Sequence, residues 1–353
     1  MKIGIITPFD SSNYGAYLQA FATNTFLKSE GHEVYFIKYR SQEERQRVFY
    51  GTRNSLKDFL KAFSMRIYNR EFYRVMTDSL KEFEVIDISS AVCSKLDMII
   101  LGSDEIWNIR VSSFKKPIFY GLDLPENIPV YAYAPSSGNA CYEDYRDYKS
   151  YTDEMHKIRI IGVRDDNTAR VVSRATGLVP QTVCDPTLLI STDTYPILGT
   201  QTPKERYMLV YAYYIDKEEK EYIKRYAKDN ELKLVCAGLH HSWCDISLCC
   251  SPFEFCSLIK NSNCVYTSTF HGTIFTFLYN KNCVINAKSE KLRDLLKWTC
   301  MKDRCVFPDM GYDEFLRVMN TKPNFERLNY IIQQKSENSK KLYISMINNG
   351  RVV

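Results

Sequence analysis

The sequence predicts an α/β protein built from two parallel-sheet domains, and three observations support that class. Short apolar, β-branched runs alternate with helical segments along nearly the whole chain. The segments joining successive runs are long enough to be helical crossovers, which make neighbouring strands parallel. Finally, 353 residues exceed what one ordinary core encloses and suit two domains. The expected division is a first domain over 1–190, a polar, turn-rich linker over 191–206 and a second domain over 207–312. Helices over 313–353 are then free to pack back on the first domain.

Composition narrows the function classes. Hydrophobic residues make up 45% and charged residues 25%, the balance of a soluble globular chain. No apolar run approaches the roughly 20 residues that a membrane-spanning helix needs. The start, MKIGIITPFD, has one lysine and a short apolar run closed by Pro8 and Asp10, so it reads as a first strand and not as a secretory leader. A net charge of +5 is too mild to point to nucleic acid. The twelve cysteines show no recurring CxxC and no Cys/His cluster at zinc spacing. No metal site is expected, and the thiols read as reduced core residues in the cytoplasm.

In the first domain, residues 2–7 (KIGIIT) read as a buried strand followed by turn residues from Pro8 to Ser12. Asn13, Tyr14 and Gly15 open a helix that runs to Gly31, and residues 34–37 (VYFI) form the next strand. The loop is not GxGxxG, so no dinucleotide fingerprint is present. Residues 41–84 form a basic and aromatic helical insertion, in which Arg45, Arg47, Arg53 and Lys57 alternate with Phe49, Phe59, Phe63 and Phe72. Two readings stay open for it: peripheral contact with an anionic membrane or glycan carrier, or a hairpin whose aromatics join the core under solvated arginines.

Strands over 97–101, 130–134 and 158–163 each end in a small polar turn. The turns hold Gly102, Ser103 and Asp104 ahead of Trp107, then Ser136 and Ser137, then Arg164 and Asp165. In a parallel sheet such turns share the carboxyl edge, where ligands sit. Each side chain has a plain alternative. Asp104 either caps its turn or holds an acceptor hydroxyl, and Trp107 is either core or a sugar platform. Asn13 and Tyr14 either start a helix or line a cleft. Arg164 either pairs with Asp165 or Asp185 or meets a ligand. His32 and His156 read as surface or capping positions.

The second domain repeats the alternation: a strand over 207–213, a helix over 217–230, a strand over 232–237, a helix over 251–261 and strands over 264–267 and 283–286. After the strand CVYT (264–267), Ser268 or Thr269 can cap the helix that continues through residues 273–278. Gly272 allows close approach, and His271 lies on the strand-to-helix turn, where a helix N-terminus attracts anions. His271 therefore either meets a phosphate or carboxylate or bonds a backbone carbonyl.

Five segments occur in a characteristic order and spacing: NYGA with LQA (13–16, 18–20), GSDEIWN (102–108), GVRDD (162–166), CDPTLL (184–189) and STFHGT (268–273). With them the chain resembles the polysaccharide pyruvyl transferase family over residues 1 to about 305. The resemblance implies two Rossmann-like domains facing a cleft, similar to the GT-B glycosyltransferase fold. It implies transfer of a pyruvyl group from phosphoenolpyruvate to two hydroxyls of one sugar, in a surface polysaccharide or its lipid-linked precursor, to give a cyclic ketal. No cofactor is implied beyond that donor. An enzyme of this kind is expected in the cytoplasm, with a lipid-linked acceptor bringing it to the inner face of the membrane.

His271 carries over as the catalytic histidine and Arg164 as the basic residue that faces the donor. The substrate-binding set expected around them is Asn13, Tyr14, Gly15, Gly102, Ser103, Asp104, Trp107, Ser136, Ser137, Ser268, Thr269, Gly272 and Lys288. Relatives with an Arg-x-His motif have an arginine where this chain has Thr269, and Lys288, Lys291 and Arg293 are candidates to supply that charge. Glu105 stands where many relatives have glutamine. A glycosyltransferase using a nucleotide sugar on the same fold, and a non-catalytic glycan-binding scaffold, are the alternatives.

Overall fold

The computed structural model describes residues 1–50, 65–199, 201–213, 215–306 and 310–349. Strands β1 (Lys2–Ile6), β2 (Glu33–Ile37), β3 (Val85–Ile86), β4 (Met98–Leu101), β5 (Val130–Tyr133) and β6 (Arg159–Gly162) form one sheet in the order β3-β2-β1-β4-β5-β6. A second sheet holds β7 (Tyr207–Tyr211), β8 (Lys233–Ala237), β9 (Ile246–Leu248), β10 (Cys264–Thr267), β11 (Asn282–Asn286) and β12 (Cys305–Val306). Its order, β12-β11-β10-β7-β8-β9, repeats that of the first. The central pairings β1 with β2 and β4, and β7 with β8 and β10, are parallel. Winding therefore reverses between β1 and β4 and again between β7 and β10, and the crevice at such a reversal is where α/β sheets bind ligands.

Helices cover both faces of these sheets, so the central strands are apolar along their length and do not alternate. Ile3, Ile5, Ile6, Val265 and Tyr266 are fully buried. The two halves also share a continuous core. Tyr14 of the helix Tyr14–Ser29 stacks on Phe255 of the helix Pro252–Asn261 with ring centroids 4.6 Å apart. Tyr17 and Phe21, on later turns of the first helix, meet Phe253 at 5.8 and 4.9 Å. This aromatic seam joins the two halves.

The helix Tyr312–Asn320 packs on the second sheet through Phe315 and Val318. The long helix Phe325–Asn349 lies on the first. There Tyr343 stacks on Tyr133 at 4.0 Å, and Ser336 Oγ donates to the Leu188 carbonyl at 2.6 Å.

The basic and aromatic stretch contains helices Gln42–Tyr50 and Arg66–Ser79. Phe49 and Phe72 are buried, while Arg47, Arg70 and Arg74 face solvent. Arg45 departs from the solvated pattern. It is buried, with its guanidinium 4.9 Å from the Tyr73 ring centroid and its Nε donating to the Asp10 carbonyl. Arg53, Lys57, Phe59 and Phe63 lie outside the described residues. His32, expected at a surface or capping position, is buried just past the end of the helix Tyr14–Ser29, with its amide donating to the Leu27 carbonyl. Among the described residues no helix is long and apolar enough to cross a membrane.

Candidate active site

The carboxyl edges of the two sheets face each other, and one polar cluster lies between them. The first sheet supplies Asp104 and Glu105 after β4 and Arg164 after β6, with Asp185 further along the chain. The second supplies His271 from the turn after β10, and Lys291 from the helix Glu290–Trp298.

Asp185 is the hub. Its Oδ1 accepts from the Thr187 amide at 3.0 Å and the Thr187 hydroxyl at 2.7 Å, which fixes the carboxylate plane. Its Oδ2 accepts from Arg164 Nη1 at 3.0 Å and lies 3.3 Å from His271 Nε2. Burial alone would raise this carboxyl, but His271 and Arg164 hold it well below the usual carboxylate range. Arg164 has only 1% of its side chain exposed. Burial works against its charge, yet Asp104 and Asp185 push its pKa higher still. Asp104 Oδ1 is 3.5 Å from Arg164 Nη2. Arg164 Nε and Nη2, and His271 Nε2, make no aligned hydrogen bond to the described residues, although all three atoms are buried. Such groups are rare in a folded interior and mark where a ligand would be met.

The chain around His271 fixes it tightly. Thr269 caps the helix Phe270–Leu278, its Oγ1 accepting from the Gly272 amide at 3.0 Å. A Cβ on Gly15 would collide with the imidazole, so that glycine permits the first helix to abut the ring. Asn13 caps that same helix through Oδ1, and its Nδ2 donates across the cleft to the Tyr213 hydroxyl at 2.8 Å. Tyr213 is half exposed, but desolvation by the surrounding residues, and then the nearby Asp104 and Glu105, push its phenol up. Ser268 Oγ accepts from the Tyr213 amide and so orients this residue.

Lys291 pairs with Glu105 across the cleft, each side chain 18% exposed. Burial would raise Glu105, but Lys291, Asn108 and Arg164 bring it down to about 2. Of the three residues considered for the charge missing at Thr269, Lys291 is the one that reaches the cluster. Lys288 is exposed, and Arg293, also exposed, pairs with Glu290.

Several expected binding residues instead build the scaffold. Trp107 is fully enclosed and its Nε1 donates to the Phe119 carbonyl at 2.8 Å, so no face is open to a sugar. Tyr14 belongs to the aromatic seam, with its hydroxyl 3.2 Å from Cys250 Sγ. Ser136 and Ser137 are buried and satisfied: Ser136 Oγ donates to Asp165 Oδ2 at 2.5 Å, and Ser137 N to Thr168 Oγ1 at 2.8 Å. Asp165 is thereby occupied as the cap of the helix Asp166–Thr176, which leaves Asp185 and Asp104 as the partners of Arg164. Ser103 Oγ donates to the Ala134 carbonyl at 3.0 Å, and Gly102 N to Ile6 O at 2.9 Å, so both hold the turn that aims Asp104. Gly272 is packed against Thr267 and Thr269.

Asp185, Phe270 and Tyr213 join the cluster although the sequence does not mark them as site residues, whereas Lys291 was a candidate for its missing charge. The signal for Asp185 was the DPT turn, an Asp before Pro and Thr that a capped turn explains equally well. Tyr213 carries no local pattern, and nothing local separates Lys291 from Lys288 and Arg293. Only the facing of the two sheets brings them in.

The fold is similar to that of two solved structures, at identities where fold alone is shared. One is the glycosyltransferase SnogD from Streptomyces nogalater, 11% identical, with a TM-score of 0.50 over 99% of each chain. The other is S. aureus MnaA in complex with UDP, 11% identical, with a TM-score of 0.52 over 98% of this chain and 95% of that one. Both belong with the GT-B architecture of two facing Rossmann-like domains. No match was found among curated proteins. The family model described as polysaccharide pyruvyl transferase matches residues 13–287, most of the chain and all five of the segments named above. The chain belongs to the polysaccharide pyruvyl transferase family.

Proposed function

We propose that this protein transfers a pyruvyl group from phosphoenolpyruvate to two hydroxyls of one sugar of a surface polysaccharide, forming a cyclic ketal. The observation that supports this reading is the pairing of His271 and Arg164 on one Asp185 oxygen, with Arg164 Nε and Nη2 making no aligned hydrogen bond among the described residues. Protonation of the donor's methylene carbon gives an oxocarbenium-like centre. A sugar hydroxyl attacks it and loses its proton, phosphate leaves, and a second hydroxyl closes the ring with loss of another proton. His271 serves these steps as the proton carrier, a role worth about 10²–10⁴-fold in rate, with Asp185 orienting the ring. Arg164 grips a carboxylate or phosphate with its planar fork, and Lys291 meets the other anionic group as a point charge. In this reading the donor's anions take the places that Asp104 and Glu105 hold at the two cations.

The test is incubation with phosphoenolpyruvate and candidate diol acceptors, following phosphate release and ketal formation. His271→Ala should abolish both while leaving the melting temperature unchanged. Full activity in that variant would remove the central assignment. Thermal protection by nucleotide sugars but not by phosphoenolpyruvate would favour the glycosyltransferase alternative.

A further inference from the structure

Phe270 directly precedes His271 and is 7% exposed. Two cations from different sheets approach its ring: Arg164 Cζ lies 4.7 Å from the centroid and Lys291 Nζ 5.5 Å. We propose that Phe270 is a positioning residue for the donor, its ring attracting both cations so that they meet the two anionic groups of one small molecule. The inference rests on the donor reading above.

Two like charges that both approach one ring repel, and with Arg164 shielded from solvent and Lys291 largely so, little water is present to screen them. An aromatic face carries negative charge density and attracts both. The carboxylates supply the rest of the compensation, but they are the groups that must give way when an anionic ligand arrives. The ring stays. Phe270 is also the first residue of a helix capped by Thr269, so the ring and the adjacent imidazole are anchored in one turn. An aliphatic side chain of similar bulk would fill the same space without attracting either cation.

The experiment replaces Phe270 by mono-, di- and trifluorinated phenylalanine, which drains the ring face of charge with little change of shape. Phe270→Leu and Phe270→Tyr serve as the end points. Phosphoenolpyruvate binding is followed by calorimetry and turnover by phosphate release. The dissociation constant and KM for phosphoenolpyruvate should rise stepwise with fluorination and reach about 10- to 30-fold in Phe270→Leu. Phe270→Tyr should stay near wild type. Values of kcat and melting temperature should change little across the fluorine series, the signature of lost ground-state binding and not of lost folding. A wild type that binds phosphoenolpyruvate while the fluorine series is flat overturns this inference alone. A wild type that does not bind phosphoenolpyruvate overturns the donor reading and this inference with it.

Discussion

At Asp185 a single carboxylate oxygen serves two partners, and the consequences of removing its charge differ from those of removing either partner. Asp185→Asn leaves Arg164 with Asp104 at 3.5 Å as its remaining close carboxylate and takes the anion away from His271 Nε2. Breaking a buried charge pair from one side costs about 3 kcal/mol, because the other charge stays buried without compensation. The expected outcome is a lower melting temperature together with about a 10²-fold fall in phosphate release, measured side by side with wild type. His271→Ala, by contrast, should lose activity without that loss of stability. The residue scale also shows what a sequence can hide: Asp185 was visible as the start of a turn, and Thr187 does satisfy its other oxygen. Nothing local reveals that the remaining oxygen faces a histidine 86 positions on.

Among the elements, the turn from β10 into the helix Phe270–Leu278 was the most legible. An apolar strand, a hydroxyl cap, a histidine and a glycine follow each other within a few residues, and Thr269 does cap the helix. Thr269→Ala should cost about 1 kcal/mol of stability, read from urea unfolding, and should weaken turnover by loosening the turn that holds His271. The carboxyl-edge turns after β4, β5 and β6 were equally legible as turns, because Gly, Ser and Asp supply their conformations. Which side chains in them are scaffold and which face the cleft was not. Ser136, Ser137 and Trp107 are absorbed by partners distant in sequence. The edge strands β3, β9 and β12 also escaped notice, since two or three residues are too few to show a period.

For the whole molecule, the two-domain parallel plan follows from strand spacing and length, whereas the way the halves face each other does not. Contacts such as Lys291 with Glu105, or Phe253 with Phe21, are set by tertiary geometry alone. The Lys291–Glu105 pair gives this interface an acid sensitivity whose sign is fixed. Folding lowers the Glu105 pKa from 4.5 to about 2. Its contribution is therefore present above about pH 4.5 and is lost as the pH falls through about 2. The difference between those two values corresponds to about 3 kcal/mol at most. Unfolding measured from pH 7 down to pH 2 should show an acid loss of stability in wild type, and Glu105→Gln should show a smaller one, the part carried by Asp185 remaining.

Gly15 has a wider consequence. Because the backbone of one half touches the imidazole of the other, neither lobe owns the reaction chamber. Enlarging position 15 demands a retreat at position 271, so this chemistry cannot be retuned from one side, and the histories of the two lobes are tied at that point of touch.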